Sequence, residues 1–293
     1  MRFGLAGTGP WATMAHGPGL VAARDVELVG VWGRSRDKAD SLAESLGARG
    51  YADYQALLAD VDAVAFAVPP DVQVELALTA ARAGKHLLLE KPVALAVADA
   101  RALRDAVAEA GVASVVFFTD RFVAQSRAWF DEVRATSGWR GGWLRWFSAL
   151  QQSDNPFGAS PWRRQLGAVW DTGPHALSTL GAALGPIASL TAVGGAGDLV
   201  TLVLGHESGA TSVVSLSQFA PPAAAGFEAA VWGEAGVSRM PNRPEGSLVG
   251  PYATAADELV AAAVNGESHA VDVVFGTEVV ELLAAAHAQL GRG

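Results

Sequence analysis

Phe3-Gly4-Leu5-Ala6-Gly7-Thr8-Gly9-Pro10-Trp11-Ala12 decides the fold. An apolar run, Phe3–Ala6, enters a glycine turn, and helical periodicity follows over about 11–23. The turn has the form G-x-G-x-x-A. Gly7 permits a tight turn, Gly9 lets the backbone approach a pyrophosphate, and Ala12 lets a helix pack closely on the strand. The helix start then offers free N–H groups and the positive end of its dipole to an anion. Pro10 suits an early helix position, where its missing N–H costs little. Strand, turn and helix in this order are the context in which such glycines bind a dinucleotide, with Gly7, Thr8, Gly9, Pro10, Trp11 and Ala12 around the phosphates.

Outward from the turn the pattern repeats. Apolar runs stand at Val26–Trp32, Ala63–Val68, His86–Leu89 and Ser114–Phe118. Helical periodicity fills about 36–47, 53–59, 72–83 and 94–110. Strands alternating with helices predict a parallel sheet covered on both faces, and right-handed crossovers make it doubly wound, a Rossmann-type α/β domain over residues 1–120. After Asp120 the character changes. A helix is predicted near 122–136, then strands at Trp143–Leu150, Leu190–Val193, Leu199–Gly205, Thr211–Phe219 and Phe227–Trp232. Residues 205–209 and 234–236 read as hairpin turns. Helices are predicted at 171–184, 253–264 and 274–289, with loops at 220–226 and 241–251. Residues 121–293 therefore read as an α+β domain with a mainly antiparallel, open sheet.

The end of the second strand bears on which dinucleotide binds. A site for NAD usually carries an acid there for the ribose 2′-hydroxyl. This chain has Gly33-Arg34-Ser35-Arg36, and Asp37 comes only in the following helix. A small residue followed by a guanidinium and a hydroxyl suits a 2′-phosphate, so Gly33, Arg34 and Ser35 favour NADP over NAD. The plainer alternative is that Arg34 and Arg36 are solvated loop charges.

Composition narrows the classes. The 293 residues are 51% hydrophobic and 17% charged, as in a globular protein with a sizeable core. The net charge of −9 argues against a general nucleic-acid binder and against an anionic membrane surface. Without cysteine, disulfides, thiolate metal sites and a cysteine nucleophile are excluded. No apolar run is long enough to span a bilayer, and MRFGLAGTGP has no secretory h-region or cleavage site, which predicts a cytoplasmic protein. His16, His86, His206, His269 and His287 are scattered without metal-ligand spacing, read as structural, and predict no metal. Lysine occurs only at positions 38, 85 and 91, so a lysine within a motif carries weight.

One such lysine lies in Ala83-Gly84-Lys85-His86-Leu87-Leu88-Leu89-Glu90-Lys91-Pro92. With Val68-Pro69-Pro70, Pro161-Trp162-Arg163, Asp171-Thr172-Gly173-Pro174-His175 and the stretch from Pro251-Tyr252-Ala253 to Phe275-Gly276, it resembles the Gfo/Idh/MocA (glucose-fructose oxidoreductase, inositol dehydrogenase, rhizopine catabolism) family along the whole chain. The resemblance implies an NAD(P)-dependent oxidoreductase acting on a sugar, polyol or similar small molecule. It implies that Val68, Pro69, Glu90, Lys91 and Pro92 approach the cofactor, with a Lys91–Pro92 peptide that is often cis. It implies that Asp171 and His175 come from a helix lining the same cleft. It also implies a homodimer or homotetramer formed through the open sheet, where Trp139, Trp143 and Trp146 would suit an interface. Relatives that bind NADP only to regulate a partner, or that cleave glycosides through a transient redox step, are the alternatives.

The residues fit alcohol oxidation on their own chemistry. That reaction needs a hydride acceptor and a base for the hydroxyl proton. Asp171 and His175 stand i and i+4, on one face of a helix. An imidazole titrates near neutrality, so His175 suits a proton acceptor. Lys91 can stabilise a developing alkoxide or itself carry the proton, and the sequence leaves open which of the two is the base. Asp171 can orient the imidazole, contact a substrate hydroxyl or cap the helix. Arg121, Trp162 and Arg163 complete the candidate substrate contacts. Two positions depart from the family pattern. Gly167-Ala168-Val169-Trp170 replaces a glycine run, so Trp170 is expected to reshape the pocket. Asp71 and Gln73 stand where Asn or Ser and then His are common, a change expected to touch cofactor detail.

Overall fold

The computed structural model describes residues 1–149, 161–243 and 248–291. The chain forms two compact units, Met1–Val123 with Glu245–Val280, and Ala124–Pro244 with Glu281–Gly293.

The first unit is built on six parallel strands: β1 (Arg2–Ala6), β2 (Glu27–Trp32), β3 (Arg49–Tyr51), β4 (Ala63–Phe66), β5 (His86–Leu89) and β6 (Ser114–Val116). Their order is β3-β2-β1-β4-β5-β6, the doubly wound arrangement expected from the sequence. Phe3, Leu5, Ala6, all of β4 and Leu87–Leu89 are buried, because helices cover both faces. A π turn, Ala12–His16, leads into α1 (Gly17–Ala22). It is followed by α2 (Arg36–Ser45), α3 (Tyr54–Asp60), α4 (Pro70–Arg82) and α5 (Val97–Ala110). Local chemistry sets the ends. Asp53 caps α3 by accepting from the Ala56 N–H at 3.0 Å, and α5 stops at Gly111 in the left-handed region. β1 and β4 are neighbours, so the strand order reverses where the glycine turn leaves β1.

The second unit opens with α6 (Ala124–Ala135) and β7 (Trp139–Phe147). Then come α7 (Pro161–Asp171), interrupted at Gly167 with φ 69°, and α8 (Gly173–Leu184). β8 (Ile187–Gly194), β9 (Val200–His206), β10 (Thr211–Ser217), β11 (Gly226–Gly233) and β12 (Gly236–Arg239) complete a sheet ordered β12-β11-β7-β10-β9-β8. β7 and β10 run parallel and the other pairs are antiparallel. Leu144, Leu202, Leu204, Val214, Leu216 and Val231 bury one face of this sheet, and Leu177 and Leu180 of α8 are buried with them. The opposite face leaves Val203, Val213, Trp232 and Val237 exposed. Alternation along β7 splits the expected tryptophan cluster. Trp146 pairs with Phe227 on the buried side, whereas Trp143 pairs with Ala230 on the other.

Two helices end the described chain, α9 (Val249–Asn265) and α10 (Val273–Gln289). A single cut near residue 120 does not reproduce the compact units, because Glu245–Val280 groups with the first of them. The Val116 N–H donates to the Val271 carbonyl at 2.8 Å, and the Thr277 hydroxyl to the Ala100 carbonyl at 3.2 Å. Among the described residues no helix is long and apolar enough to cross a membrane.

Candidate active site

The glycine turn holds the geometry its sequence demands. Gly7 has φ +130°, and its N–H donates to the Trp32 carbonyl at 2.8 Å, which fastens the turn to β2. A Cβ on Gly7 would lie 2.3 Å from the Ala67 carbonyl oxygen, so no other residue fits. Gly9 differs: a Cβ there would meet no protein atom within 4 Å. Packing within the chain does not require that glycine, and the open space above it is what the approach of a pyrophosphate needs. Ala12 is fully buried, and Pro10 and Trp11 form the helical start ahead of the π turn. These residues fit a dinucleotide.

At the tip of β2, a Cβ on Gly33 would fall 2.7 Å from Thr8 Cγ2, so Gly33 is small on account of the glycine turn beside it. Ser35 caps α2 by accepting from the Lys38 N–H at 3.5 Å. Arg36 pairs with Asp40 at 2.6 Å, and hydrogen bonding to that carboxylate raises its pKa. Arg34 is exposed, and Asp37 belongs to the first turn of α2. Val68 is half-buried, and Pro69 is exposed at the start of α4.

Glu90-Lys91-Pro92 follows β5, and its Lys91–Pro92 peptide is cis. Gln73 of α4, with no exposed surface, grips this turn from both sides. Its Oε1 accepts from the Glu90 N–H at 2.8 Å, and its Nε2 donates to the Glu90 carbonyl at 2.9 Å and the Val93 carbonyl at 3.3 Å. The Glu90 carboxylate is shared. Oε2 accepts from the Lys91 N–H at 3.1 Å, and Oε1 lies 2.9 Å from Nε2 of His16, which is 1% exposed. The His16 ring stacks on Tyr252 with centroids 4.2 Å apart. Burial pushes the Tyr252 phenol well above its ordinary pKa, and the Glu90 charge adds to that. Gln73 thus bears on the lysine turn, beyond the cofactor detail expected of it, and His16 belongs to the same cluster. Both occupy apolar stripes, Gln73 with Ala77, Ala80 and Ala81, and His16 with Ala12 and Leu20. A polar side chain in such a stripe was the available signal. Arg121 is half-buried at the end of a short 3₁₀ turn, Thr119–Arg121.

The remaining candidates belong to the second unit. Asp171 ends α7, and His175 lies in the first turn of α8, so they stand on two helices joined at Thr172. Arg163 Nε donates to Asp171 Oδ1 at 3.0 Å, and Gln218 Nε2 to Oδ2 at 2.8 Å. Asp198 in turn accepts from the Gln218 N–H at 2.6 Å. The Arg163 guanidinium also lies over the Trp162 ring, 5.0 Å from its centroid. Gln218 and Asp198 carry no motif, and the sequence does not point to them. Trp146 comes within 5.6 Å of His175, ring to ring, so this tryptophan belongs beside the candidate residues and off the exposed face. Trp170 is buried, edge-on to His287, and is core. Replacing Arg163 with methionine should cost on the order of 3 kcal/mol in urea melts, since a mostly buried carboxylate loses its cation. A variant as stable as the parent would show the pair to be dispensable.

The other histidines make ordinary contacts. His86 Nδ1 accepts from the Ala113 N–H, His206 Nδ1 donates to the Gly185 carbonyl, and His269 pairs with Glu258 at 3.0 Å. Among the described residues no cluster of histidine and acidic side chains could hold a metal ion.

Comparison with known proteins supplies the kinship. A family profile described as "Oxidoreductase family, NAD-binding Rossmann fold" matches residues 1–118, and one described as "GFO/IDH/MocA C-terminal domain" matches residues 134–239. An uncharacterized oxidoreductase of Rhizobium meliloti is 38% identical over 108 residues, 36% of this chain and 32% of that protein. The dTDP-3,4-didehydro-2,6-dideoxy-alpha-D-glucose 3-reductase of Streptomyces violaceoruber is 37% identical over 114 residues, 38% of this chain and 33% of its own. The matched stretch thus spans about a third of the length of these relatives. A levoglucosan dehydrogenase solved with NADH and levoglucosan superposes with a TM-score of 0.87 at 18% identity, covering 100% of this chain and 97% of that one, a likeness of fold.

Proposed function

The chain belongs to the Gfo/Idh/MocA oxidoreductase family, and from that premise we propose that it is an NAD(P)-dependent dehydrogenase or reductase acting on a CH–OH or carbonyl group of a sugar, polyol or related small molecule. The observation that carries this reading is the buried clamp on Glu90-Lys91-Pro92, in the same unit as a glycine turn with space above Gly9. Gly7, Thr8, Gly9, Pro10, Trp11 and Ala12 receive the pyrophosphate. Val68, Pro69, Glu90, Lys91 and Pro92 border the nicotinamide end. When bound, the dinucleotide supplies the hydride acceptor or donor.

The chain's own residues handle the oxygen and its proton. Lys91 hydrogen-bonds the reacting oxygen and stabilises negative charge on it. His175 takes the hydroxyl proton. Asp171, fixed by Arg163 and Gln218, receives a substrate hydroxyl and holds the substrate in register. Trp162, Arg163 and Arg121 contribute further substrate contacts. A panel of sugars and polyols with NADP⁺ and NAD⁺ tests this reading, and net accumulation of reduced cofactor is the expected result. Glycoside cleavage without accumulation would favour a redox-assisted glycosidase, and cofactor binding without any turnover a regulatory protein.

The preferred cofactor on this reading is NADP. Its support is the absence of a carboxylate at the β2 tip and the exposed Arg34 there. A charge-assisted contact of about 1.4 kcal/mol corresponds to a tenfold difference in affinity. NADP(H) should therefore bind about tenfold tighter than NAD(H) in side-by-side titrations, and Arg34→Ala should erase the difference. Equal or tighter binding of NAD(H) overturns the preference.

The assembly proposed is a homodimer or homotetramer in the cytoplasm, formed through the exposed face of the second sheet. Val203, Val213, Trp232 and Val237 leave apolar surface there. Light scattering should give a multiple of the chain mass, and Val213→Glu should reduce it to one. A parent protein that scatters as a monomer sinks the proposal.

A further inference from the structure

Two side chains from distant parts of the first unit converge on Glu90, and a third backs one of them. Gln73, from α4, satisfies both the N–H and the carbonyl of Glu90. His16, from the π turn after the glycine loop, takes one carboxylate oxygen, and the Lys91 N–H takes the other. Tyr252, from α9, backs the His16 ring. The cluster is buried: His16 and Tyr252 are each 1% exposed and Gln73 has no exposed surface. It is also polar at a cost. His16 Nδ1 and the Tyr252 hydroxyl are buried without a hydrogen-bond partner among the described residues. An apolar residue at 16 would pack the same stripe without an unpartnered ring nitrogen. Polar groups held at such cost point to a geometric task.

We infer that Gln73 and His16 are positioning residues for Lys91: together they lock Glu90, and through its main chain and carboxylate they fix the direction in which the Lys91 side chain leaves the end of β5. The inference deepens the functional reading above and rests on it for its catalytic meaning. It also links the two halves of the dinucleotide unit. His16 is four residues beyond Ala12, so the helix that follows the glycine loop is tied to the lysine turn by a 2.9 Å contact from His16 Nε2 to Glu90. A shift of the first helix is thereby passed to the lysine. The geometric penalty for misplacing a catalytic group by about 1 Å is on the order of a hundredfold in rate.

The scarcity of lysine makes a direct test possible. With only Lys38, Lys85 and Lys91 in the chain, reductive ¹³C-dimethylation gives three lysine signals by NMR, assigned with single Lys→Arg variants. Gln73→Met keeps the side-chain length and removes both hydrogen-bonding ends. His16→Phe keeps a ring against Tyr252 and removes the donor to Glu90. His16→Gln restores a donor near the position of Nε2. Both disruptive variants should move the Lys91 signal and leave those of Lys38 and Lys85 in place, and His16→Gln should return it towards the parent position. In the unmodified protein, kcat should fall 10- to 100-fold in Gln73→Met and His16→Phe, with KM and NADP(H) affinity within about threefold. Folded variants whose Lys91 signal stays put overturn the inference, as does a loss that appears only in thermal stability. Should His16→Phe fail to fold, Glu90→Gln, which alters charge and not shape, carries the same readout. The NMR arm does not depend on turnover. An unmoved signal removes the positioning role, whereas full activity in a Lys91 variant removes the functional reading instead.

Discussion

Lys91→Ala is expected to lower kcat on the order of a thousandfold while NADP(H) binds within about threefold of the parent. On the proposed reading the magnitude is that of losing the group that stabilises charge on the reacting oxygen, and it would be no smaller if the amine also carried the proton. The fold should tolerate the change. The bonds that define the turn run from Gln73 to the Glu90 main chain and from Glu90 to His16 and the Lys91 N–H, and none of these uses the lysine side chain. Lys91→Arg then separates the two duties. A guanidinium keeps the charge and does not deprotonate near neutrality. Partial activity in that variant assigns Lys91 to charge stabilisation and leaves the proton to His175. Loss as deep as in Lys91→Ala points to the amine as the proton carrier or to a geometry that only lysine meets. Rapid mixing and cofactor titration supply both numbers, and a Lys91→Ala protein with parental kcat would remove the residue from the mechanism.

Gly7→Ala should be the most damaging substitution of a single methyl group in the first unit. The new Cβ would sit 2.3 Å from the Ala67 carbonyl oxygen and 2.7 Å from its carbon, in a backbone conformation of φ +130°. Neither obstacle is the end of a flexible side chain, so β1 and the segment after β4 have to part. Strain of this kind costs about 3 kcal/mol. Urea melts should show that loss, and NADP(H) binding should be too weak to measure. Gly9→Ala is the control. Its methyl meets no protein atom within 4 Å, so stability should hold while cofactor affinity drops. If Gly9→Ala binds NADP(H) as the parent does, the pyrophosphate does not approach that glycine.

The parallel sheet was legible because its strands are buried on both faces and so appear as unbroken apolar runs. β3 was not. Arg49-Gly50-Tyr51 is three residues at a sheet edge, with one residue facing the core, and carries no run to read. β12, Gly236–Arg239, escaped for the same reason. The first half of α7 lay hidden behind Gly167, which breaks its period. Among the candidate residues, motifs with local spacing were readable: the glycine turn, Glu90-Lys91-Pro92, and Asp171 with His175. Their supports were not. Gln73 reaches Glu90 across 17 residues and Gln218 reaches Asp171 across 47, and nothing in either neighbourhood announces the partner. Trp170 shows the converse error. A bulky residue beside a motif invites a pocket role, but its ring is buried against the terminal helix.

The return of Glu245–Val280 to the first unit sets a timetable for biosynthesis. The six parallel strands are complete by Val116, yet the partner of the Val116 N–H is the Val271 carbonyl, and the ring against His16 comes from Tyr252. A nascent chain therefore carries its glycine loop and lysine turn unfinished while more than a hundred further residues leave the ribosome. During that interval β6 and the face of α1 that receives Tyr252 are uncovered, the kind of exposed apolar surface that chaperones bind. The cover for the helix after the glycine loop thus comes from α9, made well after the loop itself.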